Sequence, residues 1–175
     1  MLVATPACPV HVVGKRIVDA AGQTTYRYPG NFVPRVQIKC SGRVVWVLLH
    51  GGAASSQELY LGLRSADRGR HWKLLLAEPY FGIHAPFTID SYSGPCTIVG
   101  QNAAYFVGWC PACGGGYGTI SLTVTLDGGR TFRHYRLPSL AGYTAKTIRV
   151  AGRQVVVTAK RGTVTRSATV DVPQA

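Results

Sequence analysis

Seven carboxylates are all that the 175-residue chain carries: Asp19, Glu58, Asp67, Glu78, Asp90, Asp127 and Asp171. Hydrolysis of a glycosidic bond needs two of them flanking that bond, or a Tyr supported by a Glu. Glu58, Glu78 and Asp90 are expected in loops, with Tyr60, Tyr80 and Tyr92 close by, so such a pair would be drawn from these. Trp109-Cys110-Pro111-Ala112-Cys113 sets two thiols close together in sequence. A pair of this kind becomes redox-active when its first Cys sits at a helix N-terminus, where the dipole lowers the thiol pKa. Gly114-Gly115-Gly116 follows and denies a helix here, so Cys110 and Cys113 are expected as a structural disulfide. A zinc site would need two further ligands, of which His50, in the corresponding loop of an earlier segment, is one. The odd count of five cysteines leaves at least one unpaired. Cys40 and Cys96 fall at nearly matching places and are candidates to face one another. Aromatic residues form a further group: Tyr80, Phe81 and His84 in one loop, with Tyr92, Trp109 and Tyr117 beyond it. Rings at such positions stack on sugars, hold a partner peptide or cover the end of a packed interface. No residue is assigned a catalytic role, and neither a metal nor a cofactor is expected.

Lys and Arg number 19 against 7 acids, a formal charge of +12. Basic chains attract polyanions, and the densest cluster is Arg64, Arg68, Arg70, His71 and Lys73. The charges are otherwise scattered singly, with no basic arm, which disfavours a nucleic-acid role. Hydrophobic residues make up 46%, enough for a packed core, and no apolar run is long enough for a membrane helix. The start, MLVATPACPVHVVG, lacks a basic n-region and is broken by Pro6 and Pro9, so it does not make a signal peptide. The cysteine count favours an exported protein whose leader has been removed, hence an extracytoplasmic or secreted location.

The elements that must position these groups read as strands. The 21 glycines and 10 prolines punctuate short strands and turns rather than long helices. Val44 to Val47 is a continuous apolar run, as in a strand buried on both faces. Ser121 to Thr125 alternates hydroxyl and aliphatic residues and predicts a half-exposed strand. Residues 153–158 read as another buried strand. Two segments repeat one pattern, strand, turn, strand, loop, strand, Asp turn, strand, with Asp67 and Asp127 60 residues apart. A third copy begins at Thr147.

The two Asp turns are Ser65-Ala66-Asp67-Arg68-Gly69-Arg70-His71-Trp72 and Thr125-Leu126-Asp127-Gly128-Gly129-Arg130-Thr131-Phe132. Their pattern, Ser/Thr-x-Asp-x-Gly-x-Thr-Trp/Phe, resembles the Asp-box, or BNR repeat, of sialidase-like β-propellers; the first turn departs from it only at His71. The resemblance covers roughly residues 34–170. It implies an all-β fold of four-stranded antiparallel blades of β-propeller type in an incomplete ring. The blades would lie at about 34–78, 88–138 and 143–175, the last truncated, behind an N-terminal extension, residues 1–33, that supplies a closing strand. It also implies that Ser65, Asp67, Gly69 and Trp72, with Thr125, Asp127, Gly129 and Phe132, are structural. The arginine triad, Asp acid and Tyr–Glu pair of sialidases are not matched, and in Asn31-Phe32-Val33-Pro34-Arg35 the Arg stands on the wrong side of the Pro. The function implied is non-catalytic recognition of a glycan or protein partner. The alternatives are a fragment of a sialidase-like glycoside hydrolase and a basic polyanion-binding protein. Open end blades, with apolar faces built from Trp46, Val47, Phe106 and Val107, predict a homodimer; the alternative is a monomer in which the N-terminal segment, around Val10 to Val18, folds back to cover the open blade.

Overall fold

The computed structural model describes residues 8–54, 57–90, 92–110 and 118–173. The fold is all-β: four antiparallel sheets follow one another along the chain, each a meander of sequential strands. Sheet I holds β1 (Val10–Val13), β2 (Arg16–Asp19) and β3 (Thr24–Arg27). Sheet II holds β4 (Arg35–Ser41), β5 (Val44–Ala54), β6 (Gln57–Ser65) and β7 (Lys73–Ala77). Sheet III holds β8 (Tyr92–Val99), β9 (Ala103–Cys110), β10 (Thr119–Thr125) and β11 (Arg133–Leu137). Sheet IV holds β12 (Thr144–Ala151), β13 (Gln154–Arg161) and β14 (Val164–Asp171). Among the described residues no sheet closes on itself. Among the described residues no helix is long and apolar enough to cross a membrane.

Three apolar layers fill the spaces between successive sheets. Val10, Ile17 and Tyr28 meet Val45, Val47, Leu49, Leu61 and Leu63 between sheets I and II. Val44, Trp46, Leu48 and Tyr60 meet Ala104 and Phe106 between II and III. Val107, Ile120, Leu122 and Val124 meet Val155, Val157 and Ala159 between III and IV. The run at Val44 is thus buried on both faces because odd and even residues of β5 enter different layers.

Several expectations change. Ser121, Thr123 and Thr125 are buried, not half-exposed, because β10 is an interior strand of a sheet packed on both sides. Their hydroxyls tolerate burial through partners: Asp90 for Ser121, His134 for Thr123, and the turn of residues 125–129 for Thr125. Trp46, Val47, Phe106 and Val107 lie inside the chain, so they provide no open face for a second copy. The N-terminal region forms a three-stranded sheet that packs on sheet II. Cys40 is joined to Cys8 of that region, and Cys96 is a buried free thiol, so the expected Cys40–Cys96 approach does not occur. Cys110 is disulfide-bonded; the other member of its expected pair, Cys113, lies outside the described residues.

Candidate functional site

The alternation that buries β5 also builds a site. Val44, Trp46 and Leu48 face the layer between sheets II and III, and two residues further on the same face ends in His50. In β4, Arg35 pairs with His50 and Gln37 with Leu48. Register carries Glu58 of β6 to the same end. Bulges interrupt β5 between His50 and Ala53 and β8 between Ser93 and Cys96. Bulges of this kind re-aim side chains at the rims of sheets, and here Ser93 is turned onto Glu58.

The resulting network is dense. Ser93 N–H and Oγ–H donate to Glu58 Oε2 at 2.9 and 2.8 Å, and Arg35 Nη2 donates to Oε1 at 3.2 Å. His50 Nδ1 lies 2.6 Å from Ser93 Oγ and 3.5 Å from Glu58 Oε2. Cys96 N–H donates to Gln37 Oε1, which fixes that amide. Its Nε2 then donates to Gly94 O at 2.8 Å and to His50 Nε2 at 2.9 Å. His50 Nε2 is therefore the acceptor, and the Nδ1–H tautomer faces Ser93. His50 and Glu58 are both buried. Burial acts to raise the Glu58 pKa, but the bonds from His50 and Ser93 outweigh it and hold the carboxyl below its usual value.

This cluster floors a cleft of about 540 Å³. It opens where β8 lies between β4 and β12, the first strands of their sheets. Tyr92 and Trp109, cross-strand partners on β8 and β9, form one wall with ring centroids 5.3 Å apart. Lys146 of β12 and Arg35 bring two exposed cations to the rim. Glu58 is the single carboxylate among the described lining residues.

Of the aromatic candidates, Tyr92 and Trp109 thus come together at the cleft. Tyr80 and Phe81 fall in a 3-10 turn, Pro79–Phe81, and Phe81 packs against the layer between sheets I and II. His84 is exposed and does not line the cleft; Tyr117 lies outside the described residues. Of the acids expected in loops, Glu58 is buried within β6. Asp90 accepts from Ser121. Tyr60 is buried in the core, its hydroxyl bonded to Thr88 and to Ile89 N–H. No group of three or more potential metal ligands occurs among the described residues, and His50 is engaged by Gln37 and Ser93. Gln37, Ser93 and Lys146 had no sequence signal of their own, whereas His50 and Glu58 stood out by residue type; both were expected in loops, and the structure places them in β5 and β6.

The two Asp turns lie elsewhere, between the third and fourth strands of sheets II and III. In the second, Asp127 Oδ1 accepts from Thr125 Oγ, Arg130 N–H and Thr131 N–H, and Oδ2 from Thr131 Oγ at 2.6 Å. In the first, Asp67 accepts from Ser65 Oγ and His71 N–H, and His71 Nδ1 takes the place of the Thr hydroxyl at 2.5 Å from Oδ2. The departure at His71 is therefore chemically conservative. Gly69 and Gly129 have φ of +87° and +85°. A Cβ there would meet Val10 at 2.2 Å and Leu75 at 2.4 Å, side chains of the preceding sheet. Each turn thus docks one sheet onto the one before it.

No protein-family model, curated protein or solved structure matches the chain. The reading of the cleft rests on its geometry.

Proposed function

We propose that the chain is a non-catalytic binding module whose cleft takes a saccharide. The observation that carries this reading is the state of Glu58. Its oxygens are occupied by Ser93, Arg35 and His50, and it is held ionised. A general acid needs a proton to give, and a glycosidase needs a second carboxylate across the scissile bond. Beside this spent carboxylate, the Tyr92–Trp109 wall offers faces on which a sugar ring stacks. Arg35 and Lys146 favour a sugar that carries negative charge.

The arrangement of the sheets supports an open, propeller-like order of blades. Sheets II, III and IV put their first strands at the cleft, and the two Asp turns, in sheets II and III, lie away from it. The Cys8–Cys40 disulfide fits an oxidising, extracytoplasmic location.

Titration of tryptophan fluorescence with cellotetraose, tetragalacturonate and sialyllactose tests the reading. Saturable quenching by at least one is expected, weakened about fivefold in Trp109→Ala, consistent with the loss of one aromatic contact of about 1 kcal/mol. Product analysis should find each oligosaccharide intact. Cleavage that disappears in Glu58→Gln would establish catalysis instead, and quenching by none would remove glycans as the ligand.

A further inference from the structure

The densest basic cluster in the sequence is not part of the cleft. Register places Arg35 opposite His50 at the cleft end of β4 and Ser41 opposite Val44 at the other. Seven residues of strand put these ends about 20 Å apart. At the far end a second cavity, of about 310 Å³, is lined by Arg43, Asp67, Arg68 and Arg70. We propose that this cavity is a binding site for a sulfate or phosphate monoester, held by Arg43, Arg68 and Arg70.

The second Asp turn provides an internal comparison. Arg68 N–H donates to Arg43 O at 2.8 Å, and Gly128 N–H donates to Asn102 O at 2.9 Å. The two turns therefore correspond residue by residue: Arg43 with Asn102, Arg68 with Gly128, Arg70 with Arg130. Only one of these three positions keeps its arginine in the second turn. Arg68 and Gly128 share a left-handed backbone, φ +64° and +73°. Arg68 is the single non-glycine residue with positive φ among the described residues. That conformation disfavours a long side chain, and residues held in it against their preference cluster at ligand sites.

Charge and geometry agree with this placement. The three arginines are exposed, and none forms an ion pair among the described residues. Asp67 turns both oxygens to its own turn, towards Ser65 and His71, and pairs with none of the guanidinium groups, so the cavity carries three cations against one carboxylate. Three planar donors around one cavity suit the three terminal oxygens of a monoester. A nucleic-acid phosphodiester offers two, and its strand would need a groove that continues past the cavity with rings for stacking.

Calorimetric titration with glucosamine 6-sulfate and glucose 6-phosphate tests the site, with glucose, inorganic phosphate and oligo-dT as comparators. At least one ester is expected to bind, and its identity distinguishes a sulfated from a phosphorylated source. Its Kd should rise at least fivefold in Arg68→Gly and in Arg43→Gln, and change less than twofold in Arg153→Gln on sheet IV. Arg68→Gly restores the residue found in the second turn, so its melting temperature should not fall and lost binding cannot reflect unfolding. An equal loss in all three variants would reduce the effect to overall charge. An unchanged Kd in Arg68→Gly, oligo-dT binding as tightly as the esters, or an adventitious ion only, with inorganic phosphate binding and neither ester, would each overturn the proposal.

Discussion

Asp127 stabilises the chain through geometry that a single substitution can remove. Four donors converge on its carboxylate, two of them backbone N–H groups of the turn. Burial opposes ionisation, but these bonds outweigh it and hold the Asp127 pKa well below its ordinary value. At Asp67 the backbone N–H of His71 leads, with Ser65 and the His71 side chain, to the same result. A carboxyl whose folded pKa is depressed adds stability above its unfolded pKa, and that stability is lost as pH falls through the folded value. Both Asp turns should therefore weaken as pH falls below the ordinary aspartate value of 3.8. Asp127→Ala is expected to cost about 1–2 kcal/mol at pH 7. The difference from the parent should shrink in urea titrations repeated near pH 2, with ligand binding at the cleft unchanged at pH 7. A constant difference across that range would mean that the carboxylate charge contributes nothing to the turn.

At the level of elements, sheet I is held to sheet II by a disulfide, an apolar layer and a hydrogen bond from Trp72 Nε1–H to Thr25 Oγ at 3.0 Å. The Cys8–Cys40 disulfide joins residues 32 apart in sequence, a loop whose closure limits the unfolded chain by about 3–4 kcal/mol. Cys8→Ser is expected to lower stability by that amount and to expose the layer around Val45, Val47 and Leu61, read as dye binding before global unfolding. A variant with parental stability would show that the layer alone secures sheet I. The strands themselves were legible: the V-x-W-x-L spacing of β5 announces its buried face, and the Asp turns announce the hairpins between the third and fourth strands. The burial of β10 was not, because Ser121-Leu-Thr-Val-Thr has the same period whether its hydroxyls face water or buried partners. Nor was the Cys8 pairing: matching positions in the two repeats pointed Cys40 to Cys96, and sequence spacing gives no distance between Cys40 and Cys8. The cleft was half legible. Its aromatic wall is visible as Tyr92 and Trp109, but Ser93 reaches Glu58 only through a bulge, which adds a residue without leaving a periodic mark.

For the whole molecule, the question is what covers the two ends of the stack. A sheet at the end of such an array needs a polar outer face to remain soluble alone. In sheet IV the inward residues Val155, Val157 and Ala159 are buried, and the alternate positions carry Thr147, Arg149, Thr158, Ser167 and Thr169 around a single Val156. Thr158 and Ser167 hydrogen-bond to one another across that outer face at 3.0 Å. In sheet I, Ile17 points inward, and the opposite face pairs His11 with Val18 and Arg16 with Val13, so it mixes polar residues with two valines, of which Val13 is exposed. The apolar residues that favoured a homodimer, Trp46, Val47, Phe106 and Val107, are covered by the chain's own sheets, so a second copy would gain none of their burial. A stable dimer buries about 800 Å² from each partner around an apolar centre, and end faces on which single valines stand among hydroxyl-bearing and charged residues do not supply one. Light scattering between 1 and about 100 μM is therefore expected to give a mass near 18.8 kDa that does not rise with concentration. The same mass should hold from about 50 to 500 mM salt, since screening the +12 charge removes a repulsion without creating an apolar contact. A mass near twice that value, persisting at the lowest concentration, would mean that one of the end sheets is an interface despite its polar face. Substituting Thr158 by Lys, at the centre of sheet IV, would then identify which end it is.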